Sequence, residues 1–256
     1  MNLPLQPVVG GNAASPVTAT VAQVGMEFRL LARRGENLFV TIVLPLVLLA
    51  FFSVVPAVGM GGVTFLVPGI LALAVISTSL VNLGISTAFE RSYGVLKRLG
   101  GSPLPRAGMI TAKIATVLLV EVGQVVLIVG AGAIAFGWRA GPTADPVVCL
   151  IALALGTLAF AGLGLLLAGT LRAEAALAII NGLFLILLLI GGVVLPVDHL
   201  PGPLADLARV LPAAALSDAL RVGLGATTGD AGPALAVLAA WGAVTTILAA
   251  RTFRWE

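Results

Sequence analysis

The segment that decides the fold is an uncharged run over residues 37–89, which reads NLFVTIVLPLVLLAFFSVVPAVGMGGVTFLVPGILALAVISTSLVNLGISTAF. A helix needs about 20 apolar residues to cross the hydrocarbon core of a bilayer. The run is too long for one such helix and fits two. Pro56, Gly59, Gly61 and Gly62 supply a break inside it. It therefore predicts two membrane spans, near residues 37–56 and 64–88.

The rest of the chain extends this pattern. Of its 256 residues, 59% are hydrophobic and 10% are charged, whereas a soluble domain carries about 25% charged residues. Much of the surface must therefore face lipid. Further apolar runs predict four more spans, near 109–136, 147–170, 176–195 and 233–250. We expect an all-α polytopic membrane protein: a disordered leader over 1–15, then a single six-span transmembrane domain over 16–256.

The residues just before the first span predict an amphipathic helix over 16–35. Apolar side chains recur there at helical spacing, at Val17, Val21, Val24, Phe28 and Leu31. Such a helix can lie in the membrane interface or pack as an ordinary helix. We favour the interfacial position, because the helix leads directly into a span and ends in two arginines.

The basic residues predict the orientation. Among the 14 Lys and Arg, six spans would leave only Arg139, Arg209 and Arg221 on the side opposite the termini. Cytoplasmic loops carry the excess of Lys and Arg in membrane proteins. We therefore expect a multi-pass protein of the plasma membrane with both termini in the cytoplasm.

The predicted cytoplasmic loop after the second span reads FERSYGVLKRLGGSPLPR over residues 89–106. Val95, Leu96 and Leu99 could form one apolar face of a short helix, which Gly100 and Gly101 would end. A short helix at the membrane edge suits docking into a groove of another protein. A basic loop held at the lipid headgroups fits the same residues equally well.

Two segments resemble type-2 ABC transporter permeases. The order Glu-Arg-x-x-Gly-x-Leu-x-x-Leu over 90–99, followed by Pro-Leu-x-Arg over 103–106, is similar to that family's loop between spans two and three. The stretch GGVVLPVDHLP over 191–201, continuing through Leu211-Pro212 to Asp-Ala-Leu-Arg over 218–221, resembles the family's segment after span five. The two matches stand in the right places of a six-span order.

The resemblance implies a function and partners. The chain would be the permease subunit of an ABC exporter that moves an antibiotic, drug or lipid outward. Its partners would be a separate ABC ATPase, a second identical or related permease chain and the lipid bilayer, with no nucleic acid. The first segment would carry a coupling helix that touches the ATPase, with interface residues Glu90, Arg91, Gly94, Val95, Leu96, Arg98 and Leu99. The second would form short, partly re-entrant helices on the outer face, marked by Pro196, Pro201, Pro212 and Arg221.

The chain itself shows no sign of catalysis. It has no Gly-x-x-x-x-Gly-Lys-Ser/Thr phosphate loop, so we expect it to be no enzyme and to hold no cofactor. ATP and Mg²⁺ would be bound by the partner ATPase. With one cysteine, Cys149, and one histidine, His199, a zinc cluster of the usual ligands is not expected.

Several polar residues interrupt the predicted spans. Glu121 is an ionisable residue well inside the third span, and Gln124 follows three residues later on roughly the same face. A carboxylate inside a membrane is costly and is a functional candidate by default. Glu121, Gln124 and Asn82 are therefore candidates for a substrate path. Buried hydrogen bonds between helices would explain the same residues.

Two other classes of function fit a polytopic chain. A secondary transporter or channel acting alone commonly has matching halves and several ionisable residues along its pathway. No clear internal repeat is present, and Glu121 stands alone. A membrane-embedded enzyme would need a cluster of catalytic groups at membrane depth. Both alternatives are less well supported by the sequence than a permease.

Overall fold

The computed structural model describes residues 15–33, 35–54, 62–100, 106–193 and 196–253. The regular elements in these ranges are all helical. In chain order they are α1 (Pro16–Arg33), α2 (Gly35–Val54), α3 (Gly62–Ile76), a π-helical segment (Ser77–Asn82), α4 (Leu83–Ser92), α5 (Val95–Gly100), α6 (Arg106–Phe136), α7 (Pro146–Thr170), α8 (Ala173–Ile190), a 3-10 turn (Val197–His199), α9 (Gly202–Arg209), α10 (Pro212–Gly223) and α11 (Gly232–Thr252).

Five helices within the described residues are long and apolar enough to cross a membrane. They are Gly62–Ser92, Ala107–Phe136, Pro146–Thr170, Ala173–Ile190 and Gly232–Thr252. These five correspond to the second through sixth predicted spans. The first predicted span, 37–56, falls on α2, whose apolar part Thr41–Val54 is shorter. The predicted leader, apart from Ser15, and most of the break around Gly59 lie outside the described residues.

Local sequence explains where several helices begin and end. Asp145 caps α7, because its side chain accepts hydrogen bonds from the backbone N–H groups of Val147, at 2.8 Å, and Val148. Pro146 takes the first helical position, where its missing N–H leaves no unpaired group. Gly137 follows the end of α6 with φ of +64°, a left-handed conformation that glycine adopts without strain.

Helix α7 lies at the centre of the bundle and packs against α11, α10 and α4. Glycines allow these close approaches. A Cβ at Gly164 of α7 would lie 3.3 Å from the Cα of Gly84 in α4, and one at Gly156 would lie 2.8 Å from a methyl group of Leu216 in α10. Such small residues let helices pack backbone to backbone in membranes, and α7 can therefore contact several neighbours at once.

Helix α1 packs against α6 and, less extensively, against α2. Its apolar side chains do not all face the bundle, because Val17, Val21 and Phe28 are exposed. The polar Gln23 is buried instead, and its amide donates to Glu27 at 2.9 Å. The helix predicted over 16–35 is thus present, with its polar contacts toward the bundle and several apolar groups on the outside.

Candidate functional site

A group of hydrogen-bonded polar side chains lies inside the helix bundle. The side chain of Glu121 on α6 is buried, with Glu121 only 3% exposed. The hydroxyl of Ser79 donates to its Oε1 at 2.7 Å, and the hydroxyl of Thr157 on α7 donates to its Oε2. Both carboxylate oxygens therefore have partners, and the three side chains join α6 to the π-helical segment and to α7.

A second set of contacts lies one turn further along α6, around Gln124. The hydroxyl of Thr78 donates to Oε1 of Gln124 at 3.0 Å, and Nε2 of Gln124 donates to the backbone oxygen of Thr41 at 2.9 Å. The amide of Asn82 donates to the hydroxyl of Thr41 at 3.3 Å. The structure thus brings the three candidate path residues together around α2, the π-helical segment and α6.

The three candidates differ in their access to open space. Glu121 and Gln124 are both buried and belong to the interior of the bundle. Asn82 is half-buried and lines two cavities. Their present contacts are hydrogen bonds between helices, and a role of Glu121, Gln124 or Asn82 in a substrate path stays a prediction.

The π-helical segment sets the direction of these hydroxyl groups. Ser77–Asn82 forms a local widening in an otherwise continuous helix from Gly62 to Ser92. Such π turns occur frequently at functional sites in α-helices. Here two consecutive residues, Thr78 and Ser79, both donate to polar side chains of α6.

A buried lysine joins three helices at the end of the bundle where α4 ends and α6 begins. Lys113 on α6 is 2% exposed, and its Nζ lies 3.1 Å from a carboxylate oxygen of Glu27 on α1 and 2.7 Å from one of Glu90 on α4. Breaking such a buried pair leaves a charge without compensation. This Glu27–Lys113–Glu90 triad therefore fixes α1 against the two spans.

Two cavities meet along α4. The larger has a volume of about 490 Å³ and lies beside α2, the π-helical segment, α4 and the start of α5. The smaller, of about 50 Å³, lies between α1, α4 and α6 near the triad. Asn82, Ser86 and Glu90 line both. These three polar side chains thus face open space, and Asn82 also connects them to the buried hydrogen bonds around Gln124 through Thr41.

The turn between α4 and α5 is held to the rest of the bundle. Gly94 separates the two helices with φ of +71°, which favours glycine at this position. The guanidinium of Arg91 donates to the backbone oxygen of Leu171, in the turn between α7 and α8. The adjacent residues Glu90 and Arg91 therefore connect the end of α4 to two different parts of the bundle.

Helix α5 has one buried and one exposed side. Leu96 is fully buried, in a cluster that contains Leu83 and Met109, whereas Val95 is 41% exposed. Arg98 is also exposed, and the side chain of Leu99 lies outside the described residues. Of the apolar residues predicted to face a partner, Leu96 instead anchors α5 to its own bundle, and Val95 lies on the outside.

A family model decides the assignment. The model of the ABC-2 family transporter protein matches residues 56–251, which is well over half of the chain. The chain is a member of the ABC-2 transporter family. It is accordingly a multi-pass membrane permease of the ABC transporter class. No relative of the permease is found among curated proteins.

The segment of the permease between α8 and α11 is organised around a second buried cation. Arg221 on α10 lies 3.8 Å from the ring centroid of Phe65 on α3. It donates to Asp218 at 3.2 Å and to the backbone oxygen of Gly192. Burial lowers the pKa of the Arg221 guanidinium to about 10, because the charged form loses hydration. Arg221 therefore ties α10 to α3 and to the end of α8.

The prolines predicted to mark this segment lie at the starts of its helices. Pro196 precedes the 3-10 turn, Pro201 precedes α9, and Pro212 is the first residue of α10. A proline fits such positions because no helical hydrogen bond requires its missing N–H. The short helices expected here are present in the permease; their re-entrant placement in a membrane stays a prediction.

Sequence reasoning did not identify Lys113, Glu27 or Thr157 as site residues. Lys113 looks like an ordinary basic residue at the end of a span, and its carboxylate partners come from distant parts of the chain. One feature of the sequence could have identified it. Lys113 lies about two turns inside the helix that begins at Arg106, and a lysine within a membrane span usually needs a partner of opposite charge. Thr157 gave no signal, since single threonines are common in membrane helices.

Proposed function

We propose that the chain is the membrane subunit of an ATP-driven exporter. It would move an amphipathic antibiotic, drug or lipid outward across the plasma membrane, together with a second identical or related permease chain. A separate ABC ATPase would bind ATP and Mg²⁺ and supply the energy. The observation that carries the proposal is the match to the ABC-2 family over residues 56–251.

The proposed topology has six spans with both termini in the cytoplasm. The first of these six spans would be α2, whose 20 residues would extend about 30 Å, enough to cross the hydrocarbon core. An even number of spans leaves α1, α5 and the end of α11 on one side. That side then has most of the Lys and Arg, in agreement with the usual bias of cytoplasmic loops. Helix α1 would lie at the cytoplasmic interface with Val17 and Val21 toward lipid.

The proposed contact with the ATPase is helix α5 and the turn before it. Buried Leu96 and the bond from Arg91 to Leu171 hold this region to the bundle. Val95 and Arg98 remain exposed for a partner. A short helix attached in this way can transmit movement of a partner as a rigid-body shift of the spans. Dimerisation of the ATPase on binding ATP would provide that movement.

Co-purification tests the proposal. The permease is produced with an ABC ATPase encoded beside it, solubilised in detergent and captured through a tag on the permease. We expect the ATPase to be retained, and Val95→Asp to abolish retention because it places a charge in an apolar contact. Val210→Asp is the matched control, since Val210 is also exposed and lies between α9 and α10, on the side proposed to be outside.

Two results would contradict the proposal. One is the absence of any ABC ATPase in the captured material with the unmodified permease. The other is equal retention by Val95→Asp and Val210→Asp, which would remove α5 from the interface. Transport is then measured separately, as substrate-stimulated ATP hydrolysis by the reconstituted complex.

A further inference from the structure

The larger cavity has two parallel stripes of different polarity along one wall. Val81, Ile85 and Phe89 are spaced four residues apart, and so are Asn82, Ser86 and Glu90; all six line the cavity. Residues four apart lie above one another on a helix. The wall therefore offers an apolar strip beside a polar strip, and the polar strip ends at a carboxylate.

The charge at that end is negative. Of the described residues that line the larger cavity, only Glu90 is an Asp, Glu, Lys or Arg. Lys113, which lines the smaller cavity and not the larger one, contacts Glu90 and is shared with Glu27. The triad contains two carboxylates and one ammonium group, so it retains one net negative charge at the edge of the cavity.

Aromatic rings stand beside this carboxylate. Phe89 and Tyr93 line the cavity with their ring centroids 6.0 Å apart, and Tyr93 is 74% exposed. The faces of aromatic rings attract cations. A carboxylate together with aromatic rings selects an organic cation over an anion of the same size.

We propose that this cavity binds amphipathic organic monocations, with the charged group at Glu90 and the apolar body along Val81, Ile85 and Phe89. Its volume of about 490 Å³ lies in the usual range for sites of drug-sized ligands. The proposal rests on the transport function above, because it names the class of cargo. It distinguishes this permease from one that moves neutral or anionic lipids.

The test is direct binding to the full-length permease in lipid nanodiscs, with empty nanodiscs subtracted. The probes are tetraphenylphosphonium and tetraphenylborate, which have nearly the same size and shape and opposite charge. We expect saturable binding of tetraphenylphosphonium at least about tenfold tighter than that of tetraphenylborate, because a charged contact distinguishes the two signs. Equal affinities, or tighter binding of the anion, would overturn the proposal.

Variants locate the site. Glu90→Gln should weaken tetraphenylphosphonium binding about tenfold, because it removes the charged contact. Glu27→Gln is the matched control: it removes the other partner of Lys113 and the same charge, but Glu27 does not line the larger cavity. This variant also removes the excess negative charge of the triad, but the carboxylate of Glu90 stays at the cavity wall to contact the cation, so we expect a smaller loss, of about threefold. If both variants weaken binding equally, the cation is not held at Glu90, and the proposal fails.

Tyr93→Leu guards against an effect of misfolding, because Tyr93 is exposed and its replacement leaves the triad intact. We expect about threefold weaker cation binding and unchanged anion binding. No change in cation binding would remove the aromatic contact from the proposal. These binding measurements use the permease alone and are independent of the co-purification test. If the permease captures the ATPase but does not prefer the cation, only the cavity assignment is refuted. If the permease prefers the cation but captures no ATPase, the exporter proposal is refuted.

Discussion

Replacing Lys113 with methionine should destabilise the permease strongly. The substitution keeps an unbranched side chain but leaves the carboxylates of Glu27 and Glu90 without the ammonium group, which lies 3.1 Å and 2.7 Å from them. Removing one member of a buried ion pair costs about 3–5 kcal/mol. At about 2–4 °C per kcal/mol for a chain of this size, the midpoint of thermal unfolding should fall by roughly 6–20 °C.

The assay is thermal unfolding in detergent, followed with a thiol-reactive dye on Cys149, the one cysteine of the chain. The control is Arg209→Met. Arg209 is also shared between two carboxylates, Asp198 at 3.1 Å and Asp206 at 3.2 Å, but it is 57% exposed. An exposed ion pair contributes about 0–1 kcal/mol, so this midpoint should fall by about 0–4 °C.

A triple variant separates charge from packing. With Lys113→Met, Glu27→Gln and Glu90→Gln combined, no unpaired charge remains, and the midpoint should recover most of the loss. Equal midpoints for Lys113→Met and Arg209→Met would refute the reasoning. So would a triple variant no more stable than Lys113→Met, since the cost would then arise from lost packing of the lysine chain.

Two further predictions concern the other buried polar groups. Glu121→Leu should lower the free energy of unfolding by about 1–3 kcal/mol because the hydroxyl of Ser79 loses its acceptor, while Thr157 can still donate to the backbone oxygen of Leu153. Glu121→Gln should retain most of the stability in the same thermal assay; equal stability of the two variants would contradict this. Arg221→Met should lower the midpoint by more than Arg209→Met does, since the side chain of Arg221 is itself buried where it contacts Phe65, Asp218 and Gly192; an unchanged midpoint would show that these contacts contribute little.

The membrane helices were predictable because their signal is local. A long apolar run specifies a span wherever its neighbours lie, and the run at 147–170 agrees closely with α7 at Pro146–Thr170. The π-helical segment was not predictable in this way. Its residues Thr78 and Ser79 donate hydrogen bonds to another helix, and neither these contacts nor the widened turn can be read from the sequence of Ser77–Asn82 alone.

The candidate site was predictable only in part. Glu121, Gln124 and Asn82 stand out because polar side chains are rare in apolar runs. Lys113 does not stand out, because a basic residue near the end of a span is expected. Leu96 was also not predictable. The spacing of apolar residues in the short helix α5 does not show which of them pack against the rest of the chain and which face outward, and Leu96 is fully buried.

The π-helical segment has a consequence for comparing relatives. A π turn contains one residue more than an α turn, so residues after Asn82 are rotated by about 100° from the phase that an uninterrupted α-helix would give them. A relative that lacks the widening would align with a one-residue gap near Ser77–Asn82. Without that gap, the stripe of Asn82, Ser86 and Glu90 would be compared with residues on another face of the helix.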